Sequence, residues 1–156
     1  MIDVPDSVAT EVNGINNSSE IVGLYADADQ RVNCFFAAPT SEPISVAVDF
    51  KPGSATNPIN PRSNGKVPDA ILTTDTFDAT TVDAGTVRLG PTGAEAFPVR
   101  VAIEDVNHDG LSDLLLHFNT QDTGIECGAT SLSLTGQTFS GQKIRGADSI
   151  VTVGCR

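Results

Sequence analysis

Tryptophan is absent from this sequence, tyrosine occurs once, and the seven phenylalanines mostly sit in strand patterns and read as core. Sugar-binding surfaces usually offer exposed rings for stacking, so this thin aromatic supply weighs against a lectin-like face. Positive charge is scarce as well. Nine Lys and Arg stand against twenty Asp and Glu, a net charge of -11. Such a surface repels phosphate backbones and anionic lipid while attracting divalent cations, so neither nucleic acid nor membrane is expected as a partner. No apolar run approaches the roughly 18 residues that cross a bilayer as a helix. Met1-Ile2-Asp3-Val4-Pro5 lacks the basic and apolar regions of a signal peptide, which predicts a mature or trimmed chain. Stretches of Ala, Leu, Glu and Lys at helical spacing are missing too. Val, Thr and Ile are common, and Gly and Pro punctuate the chain, a composition that predicts β structure.

The 156 residues suffice for one domain, or one domain with an appendage, and for a real core. The three cysteines, Cys34, Cys127 and Cys155, form no C-x-x-C, and no His lies at zinc-ligand spacing from them. Cys127 and Cys155 bracket one compact C-terminal segment and are read as a disulfide, the alternative being three free buried thiols. Cys34 is the odd one out, whether buried, free or intermolecular.

Within residues 1–38, short strands are expected at 8–12, 21–25 and 32–36. Turns are expected at Asn13-Gly14 and at Asp27-Ala28-Asp29-Gln30. A meander this small has little core of its own. Residues 39–43 read as a linker. From residue 44 strands are expected at 44–50, 67–74, 86–89, 97–104, 114–118, 131–134, 142–145 and 149–153. Residues 57–65 read as loop, because their prolines remove ladder donors. The expected architecture is all-β: an Ig-like two-sheet β-sandwich over residues 44–156, with slight helix content, plus the N-terminal meander.

One segment states a chemistry. Asp105-Val106-Asn107-His108-Asp109-Gly110-Leu111-Ser112-Asp113 fits D-x-N-x-D-G-x-x-D. Calcium takes six to eight oxygens in flexible geometry. In a tightly coiled loop, Asp105, Asn107, Asp109 and Asp113 converge on one point, and the Leu111 carbonyl adds a further oxygen. Gly110 permits the reversal of direction. Carboxylates gathered this closely would repel one another without a cation. Position 12 is Leu116, where an EF-hand places a bidentate Glu, and both flanks alternate as strands, so the expected site is strand–loop–strand. Calcium is favoured over magnesium, which prefers stricter octahedral geometry and retained waters. The ion's expected role is structural.

Three resemblances accompany these readings. The acidic loop is similar in ligand pattern to FG-GAP and dockerin-type loops, although a dockerin would follow it with a helix. Ile2-Asp3-Val4-Pro5, Gly14-Ile15-Asn16-Asn17 and Ile21-Val22-Gly23, with Tyr25 and Phe35, resemble one copy of the extracellular HAF-type repeat. That repeat usually has Gly where Ser19 stands and His-Gly where Asn33-Cys34 stand. Such repeats ordinarily occur in tandem, since one unit cannot bury its apolar face alone. Residues 44–155 resemble a recurrent, largely uncharacterised domain of secreted bacterial proteins. The resemblance rests on Asp49-Phe50-Lys51-Pro52-Gly53-Ser54, Asn57-Pro58-Ile59-Asn60, Ala70-Ile71-Leu72, Glu104-Asp105-Val106-Asn107, Asp109-Gly110, Thr120-Gln121-Asp122-Thr123-Gly124 and Leu134-Thr135-Gly136. Asp69 departs from that pattern, which more often has an apolar residue there. The resemblance implies an extracellular location and a fold, with no assigned reaction.

Catalytic signals are weak. His108 should point outward from the acidic loop, and His117 alternates with apolar neighbours as a packed or surface histidine. No G-x-S-x-G elbow is present, and no carboxylate pair stands out beyond the loop. Asn16-Asn17-Ser18-Ser19 contains overlapping glycosylation sequons, which matter only in a host that glycosylates them. The functional expectation is a non-catalytic, secreted, calcium-binding structural or adhesive module. Its meander would add strands to a neighbouring copy in a fibre or surface layer. Its partners would be other extracellular proteins or copies of itself. The alternative is a carbohydrate-binding or accessory domain of a secreted hydrolase, with a polysaccharide as partner.

Overall fold

A computed structural model describes residues 4–17, 20–38 and 42–155. The chain divides into two compact units, Met1–Ser41 and Glu42–Arg156.

The smaller unit is one antiparallel sheet of β1 (Ala9–Ile15), β2 (Ile21–Ala26) and β3 (Val32–Ala37), with β2 in the centre. Among its described residues only Gly23 is buried. Gly23 sits opposite Val12 and Phe35 in the ladder, and a Cβ there would run into the Glu11 carbonyl and the Phe35 ring. The predicted Asn13-Gly14 turn is not where the chain reverses. β1 runs through both residues with a register shift between Val12 and Gly14, the position at which a bulge absorbs an extra residue. The chain turns instead after Asn16, whose N–H donates to Glu20 O (3.1 Å) while Glu20 N–H donates to Asn16 Oδ1 (3.0 Å). The Asp27–Gln30 turn forms as its residues predict: Gln30 N–H donates to Asp27 O at 2.9 Å.

The larger unit is also all strand and turn. In chain order it holds β4 (Ile44–Ser45), β5 (Val48–Phe50), β6 (Pro58–Ile59), β7 (Lys66–Ile71), β8 (Val82–Gly90), β9 (Pro98–Glu104), β10 (Asp113–Asn119), β11 (Ser131–Thr138), β12 (Lys143–Ser149) and β13 (Val151–Thr152). Among its described residues, helix is limited to two short 3-10 turns, Ala79–Thr81 and Thr120–Thr123. One four-stranded sheet has the order β5-β7-β10-β9 and a second the order β4-β12-β11-β8, while β13 and β6 form a two-stranded pair. Alternation along the strands sends Leu114, Leu116 and Phe118 of β10 and Leu132 and Leu134 of β11 inward. With Phe50, Ile71, Val87, Leu89 and Ile144 they form one buried cluster fed by both four-stranded sheets.

Two expected strands are each divided. Residues 44–50 alternate as a single strand would, yet the chain crosses between sheets at Val46 and Ala47. Val46 N–H donates to Arg145 O on one side, and Ala47 O accepts from Leu72 N–H on the other. Residues 149–153 likewise change partner, leaving β12 to pair as β13 with β6. β6 lies in the stretch read as loop. Its proline removes a donor but no acceptor, and the pairing uses the acceptors: Asn57 O takes Val151 N–H (3.3 Å) and Ile59 O takes Val153 N–H (2.8 Å). The phenylalanines are less uniformly core than their strand settings predict. Phe50 and Phe118 are fully buried, whereas Phe36, Phe97 and Phe139 are exposed, and Phe97 lies beneath the Arg88 guanidinium, 3.1 Å from its ring centroid.

Candidate metal centre

The acidic segment connects β9 to β10 at the end of an antiparallel pair in which Glu104 faces Asp113. Its conformation follows from side chains that accept the loop's own amides. Asp105 takes Asp109 N–H on Oδ1 (3.1 Å) and Gly110 N–H on Oδ2 (3.0 Å). Asn107 Oδ1 accepts the same Asp109 N–H (3.1 Å), and its Nδ2 donates to Asp109 Oδ2 (2.8 Å). Asp109 Oδ1 in turn accepts Leu111 N–H (2.8 Å). The backbone therefore winds about Asp105, Asn107 and Asp109, which are interlinked. His108 and Gly110 both have positive φ, +61° and +89°. A Cβ at Gly110 would meet open space, so its backbone angle and not crowding calls for glycine there. His108 is exposed.

Asp113 behaves differently. It is fully buried, and its carboxylate accepts Thr73 N–H on Oδ1 (2.8 Å) and Val106 N–H on Oδ2 (3.0 Å). The Thr73 hydroxyl donates to Ser112 O and accepts Ala79 N–H. Asp113 thus fastens the neck of the loop to the segment that follows β7. It is joined to the other three residues through the Val106 amide. Among the described residues, no three His, Cys, Asp or Glu side chains gather in a cluster able to hold a metal. The repulsion expected among the loop carboxylates is offset in part by amide hydrogens, a compensation the spacing alone does not reveal.

The donor chemistry of the loop fits a hard cation. Every side-chain ligand is oxygen, each carboxylate oxygen of Asp105 and Asp109 holds an N–H bond and keeps a second lone pair, and the Leu111 carbonyl occupies position 7.

His117 lies on β10 between Pro68 of β7 and Arg100 of β9. Its Nδ1 is buried without a hydrogen-bond partner. Burial holds its pKa below the usual histidine value, Arg100 and Lys66 push the same way, and Glu104 opposes them. A groove of about 350 Å³ near β6 and β7 is lined by Lys51, Asn60, Ser63, Lys66 and Thr120 among others, with no carboxylate or histidine in its wall. Cys127 and Cys155 form a disulfide with a Cα–Cα distance of 5.7 Å, and Cys34 is an exposed free thiol. Asp69, noted in the sequence only as an unusual strand residue, is fully buried with neither carboxylate oxygen hydrogen-bonded. Its strand setting, with apolar positions all around, was the one available signal.

Comparison with family models, curated proteins and solved structures finds no match to the chain. No helix among the described residues is long and apolar enough to cross a membrane.

Proposed function

We propose that this chain is a non-catalytic, extracellular structural or adhesive module whose β9–β10 hairpin is stabilised by Ca2+. The observation that carries the reading is the winding of the acidic loop around Asp105, Asn107 and Asp109 by the amides of Asp109, Gly110 and Leu111. These three side chains, the Leu111 carbonyl and Asp113 would hold the ion, which would supply charge neutralisation and a cross-link between two strands. An extracellular setting is supported by the disulfide, a bond that oxidising compartments favour. An Ig-like sandwich is supported by the single core shared by two four-stranded sheets and by the parallel pairing of β4 with β12 near the two ends of the unit.

Thermal melts in calcium and in chelator test the reading. A ligand present at about 100 times its Kd adds about 2.7 kcal/mol, so Ca2+ should raise Tm by about 10 °C for a unit of this size. Asp109→Ala should markedly reduce the shift. An identical Tm in both conditions refutes the loop as a calcium site.

Self-association by strand addition is favoured by one further feature. β9 ends its sheet, and Val99, Val101 and Ile103 along it are 46%, 48% and 59% exposed. Light scattering over a concentration series should then detect assembly that Val101→Lys suppresses. A monomer at all concentrations removes the fibre from the reading. The carbohydrate-binding alternative rests on the exposed rings of Phe36 and Phe139, and a glycan array separates it from the structural role.

A further inference from the structure

The core of the larger unit contains polar atoms that nothing in the fold satisfies. Asp69 stands on β7 between Phe50 of β5 and Leu116 of β10, both fully buried. It has no exposed surface, and neither of its oxygens has a hydrogen-bond partner. Asn57, 4% exposed and held at a left-handed φ of +45°, donates through Nδ2 to Asp148 Oδ2 (2.9 Å) and to Ser149 O (3.0 Å). Two acceptors on Nδ2 fix the orientation of the amide, so Oδ1 is the atom left over. It too is buried beside Asp148 without a partner.

The unsatisfied atoms of Asp69 and Asn57 are acceptors, and their surroundings are acidic. Burial raises the Asp69 pKa well above the usual carboxylate range, Asp49 and then Asp148 raise it further, and the adjacent Ala70 amide alone opposes them. Asp49, raised first by burial and then by Asp148, lies at the rim. Lys51, two residues from Asp49, spends its ammonium on Pro58 O at 2.7 Å. A buried carboxyl with acid neighbours and only the Ala70 amide opposing them is neutralised by a proton or by a cation from outside the chain, and oxygens without hydrogen-bond partners are what a hard cation binds.

We infer that Asp69, Asp148 and the Oδ1 of Asn57 form a second, interior Ca2+ site, with Asp49 adding charge at its rim. Two carboxylates and an amide oxygen make up the donor set, so the site needs no cluster of three acidic ligands. The ion would bridge β7 of one four-stranded sheet to β12 of the other and pin the 51–60 loop through Asn57. This site is independent of the acidic loop, since no residue is shared between them.

Calcium stoichiometry by equilibrium dialysis distinguishes the two. In the loop-disabled double variant Asp105→Asn/Asp109→Asn, the chain should still retain about one equivalent of Ca2+. Adding Asp69→Asn, or Asp148→Asn should the first not fold, should weaken that binding roughly tenfold or more. A wild-type chain that binds calcium beside a loop-disabled chain that binds none overturns this inference and leaves the loop reading standing. Undiminished binding in the loop-disabled chain does the reverse. Binding in neither chain removes both. An Asp69→Asn chain that melts higher than wild type in saturating calcium at pH 7 also overturns the inference, because the carboxyl would then be only a buried liability held neutral by a proton.

Discussion

Removing the Cys127–Cys155 disulfide by Cys127→Ser/Cys155→Ser isolates one physical quantity, the entropy of the unfolded chain. The two cysteines are 28 residues apart in sequence. Closing a loop of that length removes about 12 cal/mol/K from the denatured ensemble, or about 3.6 kcal/mol at 25 °C. Native-state losses should be small by comparison. Both cysteines are exposed, and the segment ends stay together without them. Gly128 N–H donates to Thr152 Oγ1 (2.9 Å), Ile150 N–H donates to Thr130 O (3.0 Å), and Ser131 remains paired with Ser149. The larger unit spans Glu42–Arg156, and unfolding at about 2.1 cal/mol/K per residue gives it an unfolding entropy of about 0.24 kcal/mol/K. The double variant should therefore melt about 15 °C lower. Differential scanning calorimetry on the oxidised chain and the variant reads both the shift and its origin. An entropic cross-link leaves the unfolding enthalpy, compared at one temperature, unchanged. A shift below about 4 °C, or one carried mainly by a lower enthalpy, would refute the argument that the bond acts on the unfolded chain.

Phe118→Ala should cost about 3–5 kcal/mol in urea unfolding with little change in m, because the ring is fully buried in the shared core; a loss under about 1 kcal/mol would mean that the core collapses around the gap. Gly90→Ala should destabilise the β8–β11 region, since the added Cβ would lie 2.6 Å from the Thr123 carbonyl. Hydrogen exchange of the Leu89 and Leu134 amides should quicken in that variant, and unchanged protection would show that the backbone yields without cost. His117 has a folded pKa below its unfolded value near 6.5. Its neutral form is thus favoured by folding: the contribution is complete above pH about 6.5 and is lost as pH falls from there through the folded pKa. The Tm of wild type should decline over that window more steeply than that of His117→Gln, and parallel profiles would contradict the shift.

The all-β class was legible in the sequence because it rests on local signals that tertiary packing did not overrule. Alternation at Leu114, Leu116 and Phe118 sets the face of β10, and the structure buries those three residues. The disulfide was legible from the bracketing of one C-terminal segment. Boundaries failed where one run of alternating residues serves two sheets. Nothing local in residues 44–50 marks the crossover at Val46 and Ala47, because it is defined by partners far along the chain at Leu72 and Arg145. The Asn13-Gly14 dipeptide was outvoted by a ladder that continues across it as a bulge. In the acidic loop, Asp105, Asn107 and Asp109 of the pattern are joined by hydrogen bonds to the loop's amides, and Gly110 correctly marked a positive φ. Spacing could not show that the last aspartate, Asp113, is tied to Thr73, a residue forty positions earlier.

Asp113 and Asp69 define the contrast on which a functional reading of this acidic chain turns. Both are aspartates without exposed surface on central strands of the same sheet, β10 and β7. Asp113 accepts two amide hydrogens, so its burial is accounted for by the loop neck it closes. Asp69 accepts none. Burial alone would rank the two alike, and sequence alone would single out Asp113, because it belongs to a recognisable motif. Partner accounting reverses the order. Asp113 has an amide hydrogen on each oxygen, whereas Asp69, beside acid neighbours and with the Ala70 amide alone opposing them, stays neutral unless a cation reaches it. The net charge of -11 leads to the same conclusion from a distance: the chain has more carboxylate than its own cations can neutralise, and the interior site is where that surplus is hardest for solvent to screen.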